Sequence, residues 1–334
     1  MERALQTRYS SCVVLLSIAL AVGIGVLVLA ANLFVDGAAA TARHFGLSPL
    51  LIGMLIVGFG TSVPEMLVSA LSALDGASGI ALGNAWGSNI TNIALILGVS
   101  AVVRPITVRS GVLRTELPIL LVVTLGAGAV VFGMGIGRLD ATLLLIGFLA
   151  FVLWSVLSQG RKMDDPLATE VSETPAATRP RPFGLSVLYL VVGLALLIVA
   201  SRAIVWGAVG LARAAGVSDL MIGLTVVAVG TSLPELASSV AAARRGEDEI
   251  AFGNVIGSNL FNTLAVVGIA GAIRPIHVDR LAAVRDYPTM LFLTVMLFVV
   301  GFARRGRIGR VTRPEGMVLC ILYVAYILLL VGSG

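Results

Sequence analysis

The sequence predicts an all-α polytopic membrane protein of ten transmembrane helices, built as two inverted five-helix repeats. Three observations carry this. Of the 334 residues 58% are hydrophobic and only 12% charged, about half the charge of soluble domains, and the mean hydropathy is +1.02. Apolar runs of the ~20 residues needed to cross a bilayer as helix recur from end to end. One hexapeptide is written twice, Gly60-Thr61-Ser62-Val63-Pro64-Glu65 and Gly230-Thr231-Ser232-Leu233-Pro234-Glu235.

The runs give spans near 12–35, 47–72, 78–103, 115–134, 139–158, 184–208, 219–243, 248–273, 287–303 and 314–332. A transmembrane barrel needs segments of about ten residues alternating apolar and polar, whereas these are longer and apolar on all sides. The first run follows Arg3 and Arg8 as a secretion signal does, but its apolar length exceeds an h-region and it has a counterpart later in the chain. It is read as a span. Cys12 and Cys320 both fall inside apolar runs, with neither metal spacing nor a disulfide framework.

The repeat fixes the organisation. Glu235 minus Glu65 is an offset of 170, and the same offset carries Gly53 to Gly223, Gly83-Asn84 to Gly253-Asn254, Gly87-Ser88-Asn89 to Gly257-Ser258-Asn259, Asn92 to Asn262 and Arg104-Pro105-Ile106 to Arg274-Pro275-Ile276. Residues 1–158 and 184–334 are thus two five-span repeats, joined by a polar linker at 159–183 without apolar periodicity. An odd number of crossings delivers the second repeat upside down, the inverted topology of secondary transporters. Connections after the odd-numbered spans hold 15 of the 23 Lys and Arg. The positive-inside rule makes that side cytoplasmic and both termini external. The net charge of +5 follows from this loop bias, and nucleic acid is not needed to explain it.

The hexapeptide has its own chemistry. A carboxylate within a lipid-spanning run is costly and marks function by default. Proline removes a backbone hydrogen bond, so Pro64 and Pro234 make the carbonyls at 60, 61, 230 and 231 candidates to be freed. Thr61, Ser62, Thr231 and Ser232 add hydroxyls within one turn of Glu65 and Glu235. The following span of each repeat carries Asn84, Ser88 and Asn92, or Asn254, Ser258 and Asn262, at a spacing of four that shares one helix face. Gly83, Gly87, Gly253 and Gly257 beside those stripes allow close backbone approach. The expected product is one site from four helices. All its ligand atoms are oxygens, as hard cations such as calcium require.

The remaining polar residues read more plainly. A lone Asn or Ser in a span serves helix packing as readily as binding, and for Asn84, Asn89, Asn254 and Asn259 both readings stand. Arg202, within span six, has Asn32 as its repeat mate and cannot neutralise two symmetric glutamates. Asp36, Asp75, Asp140 and Asp219 fall at span ends or loops as solvated charges, and His44 and His277 are single loop histidines. No nucleophile and base constellation or phosphate loop marks an enzyme.

With these motifs in view, the chain resembles the calcium/cation antiporter superfamily, and most closely its prokaryotic sodium/calcium exchangers. Two α-repeats reading G-T-S-x-P-E and then G-N-x-x-G-S-N-x-x-N carry the likeness. It implies alternating-access exchange of Ca2+ for Na+ in a prokaryotic inner membrane, with the bilayer as surroundings, no protein partner and no cofactor beyond the transported ions. It implies ligands at Glu65, Glu235, Ser62, Ser232, Ser88, Ser258, Asn92 and Asn262, at the Thr61 and Thr231 backbone, and at backbone oxygens near Gly58 and Ala228. It also implies that spans one and six slide over a fixed core of two, three, seven and eight. Some prokaryotic relatives carry aspartate where this chain has Asn262, which leaves two acids and two amides here. A proton/calcium antiporter, an exchanger of another cation, a channel and a non-transporting calcium-binding protein stay open as alternatives, although the proton-coupled branch's G-N-x-x-E pattern is absent.

Overall fold

The computed structural model describes residues 2–108, 112, 114–132, 135–162, 182–217, 228–301 and 309–332. These residues form helices α1 (Glu2–Phe45), α2 (Pro49–Leu74), α3 (Ser78–Val103), α4 (Glu116–Phe132), α5 (Arg138–Lys162), α6 (Phe183–Ala214), α7 (Ala228–Thr231), α8 (Leu233–Arg245), α9 (Asp248–Ile273), α10 (Ala282–Gly301) and α11 (Arg313–Gly332). Eight of them are long and apolar enough to cross a membrane. The protein is an all-helical polytopic membrane protein. Of the span expected at 219–243, residues 219–227 lie outside the described residues, as do Asp219, Gly223 and most of the linker.

Burial sorts the helices. In α9 and α3, 83% and 72% of the apolar window is enclosed by protein, against 22% in α1, α6 and α11. The former pair is the core, and the latter helices face lipid with one side. Trp86, Phe34, Phe252 and Phe261 fill the interior.

Helices α1 and α6 run antiparallel and touch through glycine. A Cβ at Gly23 would meet Ile204 at 2.8 Å, one at Gly37 would strike the backbone of Leu190, one at Gly193 would meet Phe34 backbone at 2.5 Å, and one at Gly207 would meet the Leu16 carbonyl at 2.8 Å. Close backbone contact of this kind replaces the hydrophobic drive that is lost in lipid. The same device docks α9 on α2. A Cβ at Gly53 would lie 2.6 Å from the Ile250 carbonyl, and one at Gly253 2.6 Å from the Leu50 carbonyl. Gly257 sits against Met54 in the same way. At Gly83 and Gly87 no such neighbour lies within 4 Å among the described residues. The contacts expected there from the repeat fall on 219–227.

The structure departs from the sequence reading in three ways. Helix α1 continues to Phe45 and α6 to Ala214, about ten and six residues past the expected ends. Asp36 is therefore inside a helix rather than at its end, and its charge is met by Arg245. Two short strand pairs were not foreseen. β1 (Ile106–Val108) pairs antiparallel with β4 (Gly309–Val311), and β2 (Gly135–Ile136) with β3 (Ile276–His277). Each strand is too short to signal itself by periodicity and is stabilised by a partner at least 140 residues away.

These pairs sort the connections by face. At one face β1 meets β4, Asp248 accepts from the Thr107 amide at 2.9 Å, and Arg104 Nη1 donates to the Ala243 carbonyl at 3.3 Å. At the other, β2 meets β3 and Ser78 Oγ donates to the Pro275 carbonyl at 3.2 Å. Local geometry recurs at the sequence offset. Among the described residues four glycines are left-handed, Gly46, Gly76, Gly216 and Gly246, with φ of 62°, 84°, 81° and 79°. Arg104 packs on Gly246, and Arg274 packs on Gly76. A side chain at either glycine would both strain the backbone and displace the arginine.

Candidate functional site

The repeated hexapeptides meet in the interior. Glu65, on α2, is 1% exposed, and Glu235, on α8, is 2% exposed. Helix α2 runs through Pro64 without a break, and its π-helical stretch, Ile52–Gly58, ends three residues before Thr61. In the second copy the helix does break. Ser232 has φ −92° and ψ 9°, ending α7 and opening α8, with Pro234 in the first turn where proline is tolerated. The carbonyl of Gly230, expected to be freed, accepts from Ser201 Oγ of α6 at 2.7 Å. That residue was not singled out from the sequence. Its repeat mate is Ala31, so symmetry gave no signal.

Four segments are stitched across the halves. Ser62 Oγ donates to Glu235 Oε1 at 3.3 Å. Thr61 Oγ1 donates to the Val57 carbonyl at 3.0 Å and lies 3.4 Å from Asn254 Oδ1. Asn84 Nδ2 donates to the Glu65 carbonyl at 3.4 Å and to Ser69 Oγ at 3.0 Å. At the repeat positions, Asn254 Nδ2 donates to the Glu235 carbonyl at 3.2 Å and to Ser239 Oγ at 2.8 Å. Both asparagines thus hold the backbone of the glutamate-bearing helix. Ser69 and Ser239 were missed, although the offset of 170 relates them. Asn89 Nδ2 donates to Thr263 Oγ1 at 2.9 Å while its Oδ1 is buried without a partner among the described residues, and Asn259 Nδ2 donates to the Val255 carbonyl at 2.6 Å.

Asn92 and Asn262 sit at the start of π-helical stretches, Thr91–Leu97 and Asn262–Val266. Such turns recur at functional sites because they displace a side chain from the regular helical face. Ser88 and Ser258 lie one turn earlier and are buried. Gly58 is buried where a Cβ would meet the Ser258 amide nitrogen at 3.1 Å. Thr231 is half-buried on α7, which begins at Ala228.

The distribution of hydrogen bonds is uneven in an informative way. Both carboxylate oxygens of Glu65, Glu235 Oε2, Ser232 Oγ, Ser258 Oγ, and Oδ1 of Asn92 and Asn262 are buried without a hydrogen-bond partner among the described residues. Buried polar atoms are satisfied in the great majority of cases, and an uncompensated buried carboxylate is very expensive. Seven such oxygens, from four segments, are thus open to donors or cations from outside the described residues. No group of three or more His, Cys, Asp and Glu occurs among the described residues, so the only charged oxygens gathered here are two carboxylates amid neutral ones.

Comparison with known proteins gives the family. The family model described as sodium/calcium exchanger protein matches residues 15–157 and again 185–332. The chain is 43% identical over 314 residues to the putative antiporter CaxA of Alkalimonas amylolytica, covering 93% of this chain and 97% of the relative. It is 43% identical to the inner membrane protein YrbG of Escherichia coli, with 87% and 90% covered. To the sodium/calcium exchanger MaX1 of Methanosarcina acetivorans the identity is 30%, with 93% and 97% covered. Among solved structures, the sodium-calcium exchanger NCX_Mj from a crystal soaked in 10 mM Na+ and 10 mM Sr2+ superposes with a TM-score of 0.80 at 31% identity, covering 94% of this chain and 98% of that one.

Proposed function

Because the chain belongs to the sodium/calcium exchanger protein family, we propose that this membrane antiporter extrudes Ca2+ in exchange for Na+ by alternating access at a site between Glu65 and Glu235. The observation that carries the reading is the set of buried oxygens without donors on Glu65, Glu235, Ser232, Ser258, Asn92 and Asn262. One Ca2+ neutralises both carboxylates and accepts six to eight oxygens. Sodium ions neutralise the same carboxylates with help from the neutral oxygens. The two substrates then compete for one site, and that competition couples their fluxes. Backbone oxygens near Thr61, Thr231, Gly58 and Ala228, with the hydroxyls of Ser62 and Ser88, complete the assignment.

The architecture proposed is ten spans in two inverted repeats, 1–158 and 184–334, joined by the linker 159–183. What supports it is the recurrence at offset 170 of the asparagine-to-glutamate-carbonyl bonds, the π-helical stretches, the left-handed glycines and the crossed arginines. Loop charge supports a cytoplasmic β1–β4 face with both termini outside, and the likeness to an inner membrane protein of Escherichia coli supports a prokaryotic inner membrane.

The test is Ca2+ uptake by sodium-loaded liposomes diluted into sodium-free buffer. Uptake that needs internal Na+ and vanishes in Glu65→Gln and in Glu235→Gln is the expected result. Uptake driven only by a pH gradient assigns the protein to proton exchange, and full transport by either variant overturns the site.

A further inference from the structure

Arg245 ends α8 at the β1–β4 face and reaches sideways onto α1. Its Nη1 pairs with Asp36, and its Nε and Nη2 donate to Asn32 Oδ1 at 3.3 and 3.1 Å. Asn32 and Asp36 are one turn apart on α1 and so share a face. The ion pair is partly solvated, with side-chain exposures of 33% and 28%. It joins two bodies of different kinds. Helix α8 belongs to the core that carries Glu235, whereas α1 belongs to the glycine-packed pair with α6 at the lipid-facing edge.

The repeat offset turns this contact into an expectation about the other face. Subtracting 170 from Arg245 gives Asp75, and adding 170 to Asn32 gives Arg202. The mates again carry opposite charge with the roles exchanged, the acid on the core and the base on the edge pair. Asp75 closes α2 at the β2–β3 face and Arg202 lies on α6. Both are exposed, and neither side chain has a hydrogen bond or ion pair among the described residues. One of the two symmetry-related contacts is thus made and the other open.

We propose that Arg245 with Asp36 and Asn32, and Arg202 with Asp75, are alternating latches between the α1–α6 pair and the core, one at each face and never closed together. Inverted repeats that exchange their local conformations convert one transporter state into the other. That exchange carries the contact between positions 32 and 245 onto positions 202 and 75. The position matching Asp36 is Trp206, so the second latch has one prong where the first has two. The state with Arg245 engaged is therefore the favoured one. The proposal rests on the alternating-access reading above, because it takes its second state from there.

The test uses the full chain with Cys12→Ser and Cys320→Ser, carrying either Asn32→Cys with Arg245→Cys or Asp75→Cys with Arg202→Cys. Membranes are treated with a bifunctional thiol reagent whose span matches an arginine side chain. Both pairs should cross-link, and adding Arg245→Ala to the second pair should raise its cross-linking rate roughly two- to fivefold, the weight of one partly solvated ion pair. Cross-linking at 32 and 245 but never at 75 and 202 overturns the proposal. Because a Cys variant can misfold, a second measurement follows exchange in Asp75→Arg, Arg202→Asp and the double variant. Each single change should alter the rate and the double restore it, while a double variant no better than the singles overturns the pairing. Cross-linking needs no transported ion, so the two readings fail separately. A chain that cross-links at both faces but moves no Ca2+ keeps the latches and removes the antiporter. One that exchanges Ca2+ for Na+ without ever joining 75 to 202 does the reverse.

Discussion

Among the described residues no donor meets the carboxylate oxygens of Glu65, while Asn84 holds its backbone carbonyl. That division of labour makes distinct predictions for neighbouring residues. Replacing Glu65 by Gln removes a charge without changing shape, so the variant should fold yet lose the rise in melting temperature that Ca2+ gives the parent protein. For the parent, a Ca2+ concentration one hundred times its dissociation constant stabilises by about 2.7 kcal/mol. A Ca2+-dependent shift of parental size in Glu65→Gln would show that the ion binds elsewhere. Asn254→Ala removes two donors and leaves the Glu235 carbonyl and Ser239 short of partners. It should cost ~1–3 kcal/mol of stability, measured by thermal unfolding in detergent, and should weaken Ca2+ binding as well. Unchanged values for both would refute the positioning role. At this scale the sequence was most legible. The doubled hexapeptide pointed to both glutamates, because a carboxylate in an apolar run stands out without any knowledge of the fold. Ser201 was invisible, since a serine among apolar residues acquires meaning only when the broken helix of the other element arrives beside it.

Among the elements, the close approaches are where small changes cost most. Gly257→Ala places a methyl against the Met54 backbone, and Gly53→Ala places one 2.6 Å from the Ile250 carbonyl. Backbone cannot give way as a side chain can, so each should destabilise by ~1–3 kcal/mol, read as a lowered unfolding temperature. Gly25→Ala, with no atom within 4 Å, is the control and should change little. Most helix extents could be read from apolar length alone, as for Ser78–Val103 and Asp248–Ile273. The ends of α1 could not. Asp36 terminates the apolar run on paper, and inside the helix its charge is met by Arg245, 209 residues later. Sequence patterns report local periodicity, whereas this boundary is set by a distant charge.

For the whole molecule, one shared site implies non-additive stabilisation. Saturating Na+ should shrink the melting-temperature shift produced by a fixed Ca2+ concentration, as the proposed competition of the two ions for Glu65 and Glu235 requires. Independent sites would give shifts that add, and that result would remove the coupling mechanism. The repeat offset made the two-part organisation visible before any coordinates, but the way the parts interlock was not. The strand pairs, the crossed arginines and the bond from Ser62 to Glu235 run from one half to the other.

The bond from Ser62 to Glu235 and the contact of Thr61 with Asn254 have a bearing on ownership. Neither half possesses a finished binding place. Each supplies one carboxylate, and the Ser62 and Thr61 hydroxyls of the first half face the acid and the amide of the second. A protein cut within the linker should therefore regain Ca2+ binding when the two fragments are made together in one membrane, and neither fragment should bind it alone. In that sense the proposed site makes the polypeptide a heterodimer whose partners happen to share a peptide bond, which guarantees their equal supply.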